Sequence, residues 1–249
     1  MIQLIQWDDR KNLLIAGNKA ETIDFCASHF ISLAKECIKS SGKFCVALSG
    51  GSTPKPIYEL ICTKYRNEID WSKVFLFWGD ERSVNSTDPQ SNYLMALTSG
   101  FGNVGIKADH IFRMRAEFEE KQILDDHAKV YEELILSNVE NGSFDLIILG
   151  MGEDGHTASL FPNTSALRET NRLVVANYVP SKKTWRMTFT FGLINQARQI
   201  VFYLYGDSKK EKVQEIFTTK DLYPCQFIGS KKSKALWIMD EEASRLISP

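Results

Sequence analysis

Four short apolar runs, each ending at a glycine-bearing turn, constrain this 249-residue chain more than any other feature. Residues 44–48 run into Ser49-Gly50-Gly51, 74–78 into Gly79, 145–149 into Gly150 and 199–205 into Gly206. Runs such as Leu146-Ile147-Ile148-Leu149, apolar at every position, suit strands buried on both faces. Segments of helical period lie between them. Ile23, Ala27, Phe30, Ile31, Ala34, Cys37 and Ile38 share one face over 18–39, and Ser40, Ser41 and Gly42 end that helix. Residues 54–65 form a second amphipathic helix. A third, over 118–139, places Ile123, Ala128, Tyr131, Leu134 and Ile135 on one face.

Further strands are predicted at 172–176, 186–191 and 235–239, with a helix near 208–217. Segments 2–6 and 12–16 suggest an antiparallel edge pair. Strand and helix in alternation predict an α/β fold, with a mostly parallel, Rossmann-like sheet covered by helices on both faces. With no internal repeat and no Pro/Gly-rich linker, residues 1–249 read as one domain. In such sheets ligands bind beyond the C-terminal strand ends, so the chemistry is expected in the loops that follow the apolar runs.

Thirty Lys plus Arg against thirty-one Asp plus Glu give a net charge of −1, which argues against nucleic acid or an anionic membrane as partner. No run approaches a membrane span, and Met1 to Asp9 lacks the basic and apolar regions of a signal peptide. The five cysteines, Cys26, Cys37, Cys45, Cys62 and Cys225, are odd in number and form no C-x-x-C pair. They read as buried thiols of a cytoplasmic protein.

Ser49, Gly50, Gly51, Ser52 and Thr53, followed by Pro54, join a strand to a helix. Glycines let a ligand approach the backbone, and the free N–H groups of a first helical turn favour phosphate. A tight turn capped by Ser or Thr remains the alternative. In Gly79-Asp80-Glu81-Arg82, Arg82 offers a two-pronged phosphate contact or pairs with a neighbouring acid. Gly150-Met151-Gly152-Glu153-Asp154-Gly155-His156-Thr157 gathers two carboxylates and an imidazole at a strand end, and His156 is the group matched to proton transfer near neutral pH. His29, His110 and His127 read as structural or solvent-facing. Lys209, in Gly206-Asp207-Ser208-Lys209, extends toward a ligand phosphate or lies on a solvated helix face. No His/Cys cluster has metal-ligand spacing, and no G-x-S-x-G elbow is present. Together these loops point to a phosphorylated small molecule and proton transfer.

Several segments together resemble the glucosamine-6-phosphate isomerase/6-phosphogluconolactonase family, on its lactonase side. They are Leu48 to Pro54, Trp78 to Arg82 with Ser91-Asn92-Tyr93, Leu149 to Pro162, Arg186 to Thr190, and Gly206 to Lys209. The resemblance implies a deaminase-like fold, hydrolysis of a sugar-phosphate lactone, no metal or organic cofactor, and a monomer or weak homodimer. His156 would be the catalytic base, while Arg82, Lys209 and the 49–53 turn would hold the phosphate. Asp154 either orients His156 or binds a substrate hydroxyl. Arg186 contacts phosphate or pairs with an acid. Two departures stand out: Asn85 replaces a proline common among relatives, and 218–234 matches weakly. Deaminases of the family carry Asn-Glu where this chain has Leu160-Phe161 before Pro162, and an aromatic residue where Arg82 stands. Both differences favour a lactonase over a deaminase. The absence of an added DNA-binding domain disfavours a sugar-phosphate-sensing regulator.

Overall fold

The computed structural model of the chain describes residues 4–247. Its strands are β1 (Leu4–Gln6), β2 (Lys11–Ile15), β3 (Phe44–Leu48), β4 (Val74–Trp78), β5 (Asp80–Arg82), β6 (Leu146–Leu149), β7 (Val174–Val179), β8 (Thr184–Phe189), β9 (Ile200–Leu204) and β10 (Ala235–Met239). The helices are α1 (Lys19–Ser41), α2 (Pro54–Thr63), α3 (Asn92–Thr98), α4 (Lys121–Asn138), α5 (Phe191–Ile194), α6 (Lys210–Thr218) and α7 (Glu241–Ser244). Seven strands form one sheet in the order β1-β2-β10-β9-β6-β3-β4, parallel except for the β1–β2 hairpin at its edge.

The apolar runs behave as a doubly covered sheet requires. Along β3, Phe44, Val46 and Leu48 enter the cluster beneath α1 and α2, while Cys45 and Ala47 enter the cluster with α4 and α6. Helix α1 starts where the Asn18 side chain accepts the N–H groups of Ala20 and Glu21, and it stops at Gly42, whose φ of 80° is left-handed. All five cysteines are free and buried. No helix of the described residues is long and apolar enough to cross a membrane.

Two expectations need correction. The strands predicted at 172–176 and 186–191 do not join the parallel sheet. They are β7 and β8, an antiparallel hairpin whose partner β5 comes from the stretch read as a loop after β4. The turn Pro180–Lys182, with Lys183 left-handed at φ 51°, is far too short for a parallel crossover. On α4 the inward stripe is Leu124, Ala128, Tyr131 and Ile135, and Ile123 is 39% exposed. A stripe beginning at Leu124 keeps the three- and four-residue spacing that Ile123 breaks.

From β3 the chain crosses to β4 on one side and later returns to β6 on the other. The sheet's switch point therefore lies between β3 and β6, whose C-terminal loops are the 49–53 turn and the 150–157 segment. Beyond β4 the outer edge is occupied. Leu76 O accepts the N–H of Phe112 at 2.9 Å, and the Trp78 N–H donates to the hydroxyl of Tyr131 at 3.0 Å.

Candidate active site

A cavity of about 450 Å³ opens at that switch point. Its wall includes the whole Ser49–Thr53 turn, Asp80, Arg82, His156, Arg186 and Lys209, carried by five different connections or strands. Asp154 stands behind the wall, against His156.

The 49–53 turn is held from below. Tyr58 of α2 donates its hydroxyl to Ser49 O at 3.0 Å and accepts the Ser49 N–H at 3.1 Å, and Tyr205 donates to Thr53 O at 2.6 Å. Gly51 has a φ of 101°. A β-carbon on Gly50 would collide with the side chain of Asn92. Pro54 occupies the first turn of α2, and the Thr53 side chain makes no capping bond. The free N–H groups of that turn thus lack the internal satisfaction that a cap would give. The Ser49 hydroxyl, 6% exposed with its residue, also finds no partner within the protein.

Arg82 and Arg186 face each other as register partners across β5 and β8. Like charges directly opposite on a sheet repel. Neither forms an ion pair among the described residues, and both Nε atoms lack a partner. Arg82 donates to the carbonyl of Gln90. Burial lowers the proton affinity of the Arg186 guanidinium; the charge of Asp80 opposes that, while Arg82 adds to it. Lys209 is likewise held below the ordinary lysine range by burial, with Glu153 opposing. Lys182, at the β7–β8 turn, adds a fourth cation to the wall. Four cations against the single carboxylate of Asp80 give the cavity wall an excess of positive charge suited to an anion.

Asp80 is itself tied down. It accepts from the Ser159 hydroxyl at 2.7 Å and from Asn92 Nδ2 at 3.1 Å. Its neighbour Glu81 accepts the N–H groups of Arg82, Asn92 and Tyr93 at 2.8 to 2.9 Å and the Ser91 hydroxyl at 3.0 Å. Burial pushes the Glu81 carboxyl up against the downward pull of those N–H groups. Glu81 thereby pins β5 to the N-terminus of α3 and aims Arg82 and Asn92 into the cavity. Asn92 is 1% exposed, and its Oδ1 has no partner.

At the other end, His156 is fixed on three sides. Nδ1 bonds Asp154, and Phe161 stacks on the ring at 3.8 Å between centroids and 17° between planes. Gly152 lies against the Cε1–Nδ1 edge, where a β-carbon would collide with the imidazole. Its N–H donates to the His156 carbonyl at 2.9 Å. Gly155, at φ 73°, lies under Tyr223, and its carbonyl accepts the Cys225 N–H at 3.1 Å. Burial raises the Asp154 carboxyl, but the hydrogen bond and charge of His156 outweigh it and leave it below the usual carboxylate range. An ionised Asp154 favours the tautomer with its proton on Nδ1, in which Nε2 keeps its lone pair.

Sequence reasoning gave no role to Asn92, Ser159, Phe161, Lys182 or Tyr223. The first three stand inside the motifs quoted above, so their positions were visible while their contacts were not. Lys182 lies between the strands predicted at 172–176 and 186–191, and no local signal sets it apart. Tyr223 lies where the family likeness is weakest, and nothing local marks it.

Residues 17–237 match the family described as glucosamine-6-phosphate isomerases/6-phosphogluconolactonase. The chain belongs to that family. The 6-phosphogluconolactonase of Chlamydia pneumoniae is 42% identical over 247 residues, spanning 98% of this chain and 93% of that protein. Among solved structures, the 6-phosphogluconolactonase from Trypanosoma cruzi superposes with a TM-score of 0.85 at 25% identity, over 99% of this chain and 100% of that one. A monomeric glucosamine-6-phosphate deaminase matches with a TM-score of 0.77 at 21% identity, over 94% and 99% of the two chains, a likeness of fold alone.

Proposed function

We propose that this chain hydrolyses 6-phospho-D-glucono-1,5-lactone to 6-phospho-D-gluconate, the hydrolytic step of the oxidative pentose phosphate pathway. The observation that carries the reading is a candidate base and a cluster of cations lining one cavity: His156, its Nδ1 committed to Asp154, with Arg82, Arg186 and Lys209. The names of the close relatives support the substrate.

In this reading the cationic end and the 49–53 turn bind the phosphoryl group, which places the lactone carbonyl near His156. Nε2 takes a proton from water as the oxygen attacks C1. The tetrahedral oxyanion collapses, the C1–O5 bond breaks, and the proton passes from His156 to O5. One water is consumed, and the new carboxylic acid ionises. General base catalysis of this kind contributes about 10²–10⁴-fold, and fixing the reactants contributes much of the rest. Among the N–H groups of the 150–157 loop, those of Gly152, Gly155 and His156 are already engaged within it. The remaining N–H groups of the loop, those of Gly150, Met151, Glu153, Asp154 and Thr157, are its candidates for an oxyanion donor. Asp154 acts as a positioning residue, and Asp80 with Asn92 faces the sugar hydroxyls.

The test is acid release from freshly generated lactone, corrected for spontaneous opening. Release well above the uncatalysed rate is expected, with no ammonia formed from glucosamine 6-phosphate. Ammonia release without lactone hydrolysis would replace this reading with a deaminase.

A further inference from the structure

Lys209 belongs to both ends of the cavity. Its ammonium shares the wall with Arg82 and Arg186, yet it donates to the carbonyl of Met151 at 2.9 Å. Met151 sits between Gly150 and Gly152, the most pliable part of the connection from β6 to His156. Gly152 in turn touches the imidazole and bonds the His156 carbonyl. An ammonium has three donors, so one on Met151 leaves two for an anion. Lys209 has no ion-pair partner among the described residues, and burial without such a partner disfavours its charge. A phosphoryl dianion reverses that balance and favours the charged form, which also grips a carbonyl more strongly than a neutral amine does.

We infer that the substrate's phosphoryl group, by engaging Lys209, fixes the Gly150–Gly152 connection and so sets His156 for proton transfer. Occupancy of the anion site then raises turnover as well as affinity, because binding energy from a non-reacting part of the substrate is used at the reacting centre. This inference rests on the lactonase reading and deepens it.

Cutting the substrate in two tests it. The full chain is given unphosphorylated glucono-1,5-lactone with and without phosphite dianion, and the His156→Ala protein supplies the background for spontaneous and phosphite-catalysed opening. Phosphite should raise kcat/KM saturably by about tenfold, the share typical of one charge-assisted hydrogen bond. In Lys209→Met the enhancement should vanish, and with the phosphorylated lactone kcat should fall as KM rises. Phosphite that inhibits or has no effect on the wild-type protein overturns the inference. So does a Lys209→Met protein altered in KM alone. Continued turnover of the phosphorylated lactone in either case leaves the lactonase reading standing, whereas its absence in the wild-type protein removes that reading first.

Discussion

The two ends of the cavity are built on opposite principles. Around His156 the contacts are close: Asp154 on one nitrogen, Phe161 on a face, Gly152 against the ring, Tyr223 beneath Gly155. Around Arg82 and Arg186 the contacts are left open, with two guanidiniums opposed across a small sheet and lacking ion-pair partners among the described residues. The first fixes the direction of the imidazole, as the proposed proton transfer would require. The second accepts electrostatic repulsion, which an anion bound there would relieve. On the proposed reading this difference makes His156 chiefly a determinant of turnover and Arg186 chiefly one of affinity.

The largest effect that would sharpen this contrast is on His156→Ala. Turnover of the phosphorylated lactone should fall by about 10²–10⁴-fold, while inorganic phosphate, followed by calorimetry, should bind as before. Near-normal turnover would remove the imidazole from the mechanism. Arg186→Met should do the reverse, raising KM by about tenfold to a hundredfold with a smaller change in kcat. Removing one of two opposed charges should also stabilise the free protein by a few tenths of a kcal/mol. An unchanged KM would show that the open contacts are not an anion site.

The smallest effect concerns Asp154. Its carboxyl is lowered in the folded state, net of the upward pull of burial. A lowered carboxyl adds stability above its unfolded pKa, and that stability is lost as pH falls through the folded value. Wild type should therefore melt slightly above Asp154→Asn at neutral pH, with the gap closing at acid pH. The side chain is 44% exposed, so solvent screens the pair and the gap is narrow. A gap that persists unchanged at acid pH would mean the carboxylate charge contributes nothing.

The same division governs what could be read from the sequence. Three of the cavity's loops follow strands that are apolar at every position, and glycines mark where those strands stop. The 49–53, 150–157 and 206–209 segments were therefore legible from residue order alone. The small sheet was not. Asp80–Arg82 reads as a charged loop because its three residues carry no apolar period, and only pairing with β8 makes it a strand. Opposition of Arg82 to Arg186 is a matter of register, which depends on the β7–β8 hairpin; the strands predicted at 172–176 and 186–191 stop short of its turn on both sides and carried no pairing. Glu81 as the clamp on α3 and Tyr223 beneath Gly155 are tertiary contacts with no periodic signature.

The bonds along the outer side of β4 bear on how this protein behaves when crowded. Leu76 O and the Trp78 N–H already have partners in Phe112 and Tyr131, so a strand from a neighbouring molecule would find that border taken. Edge-to-edge recruitment, a common first step toward aggregation, is thus obstructed on this flank by the same buried tyrosine that anchors α4.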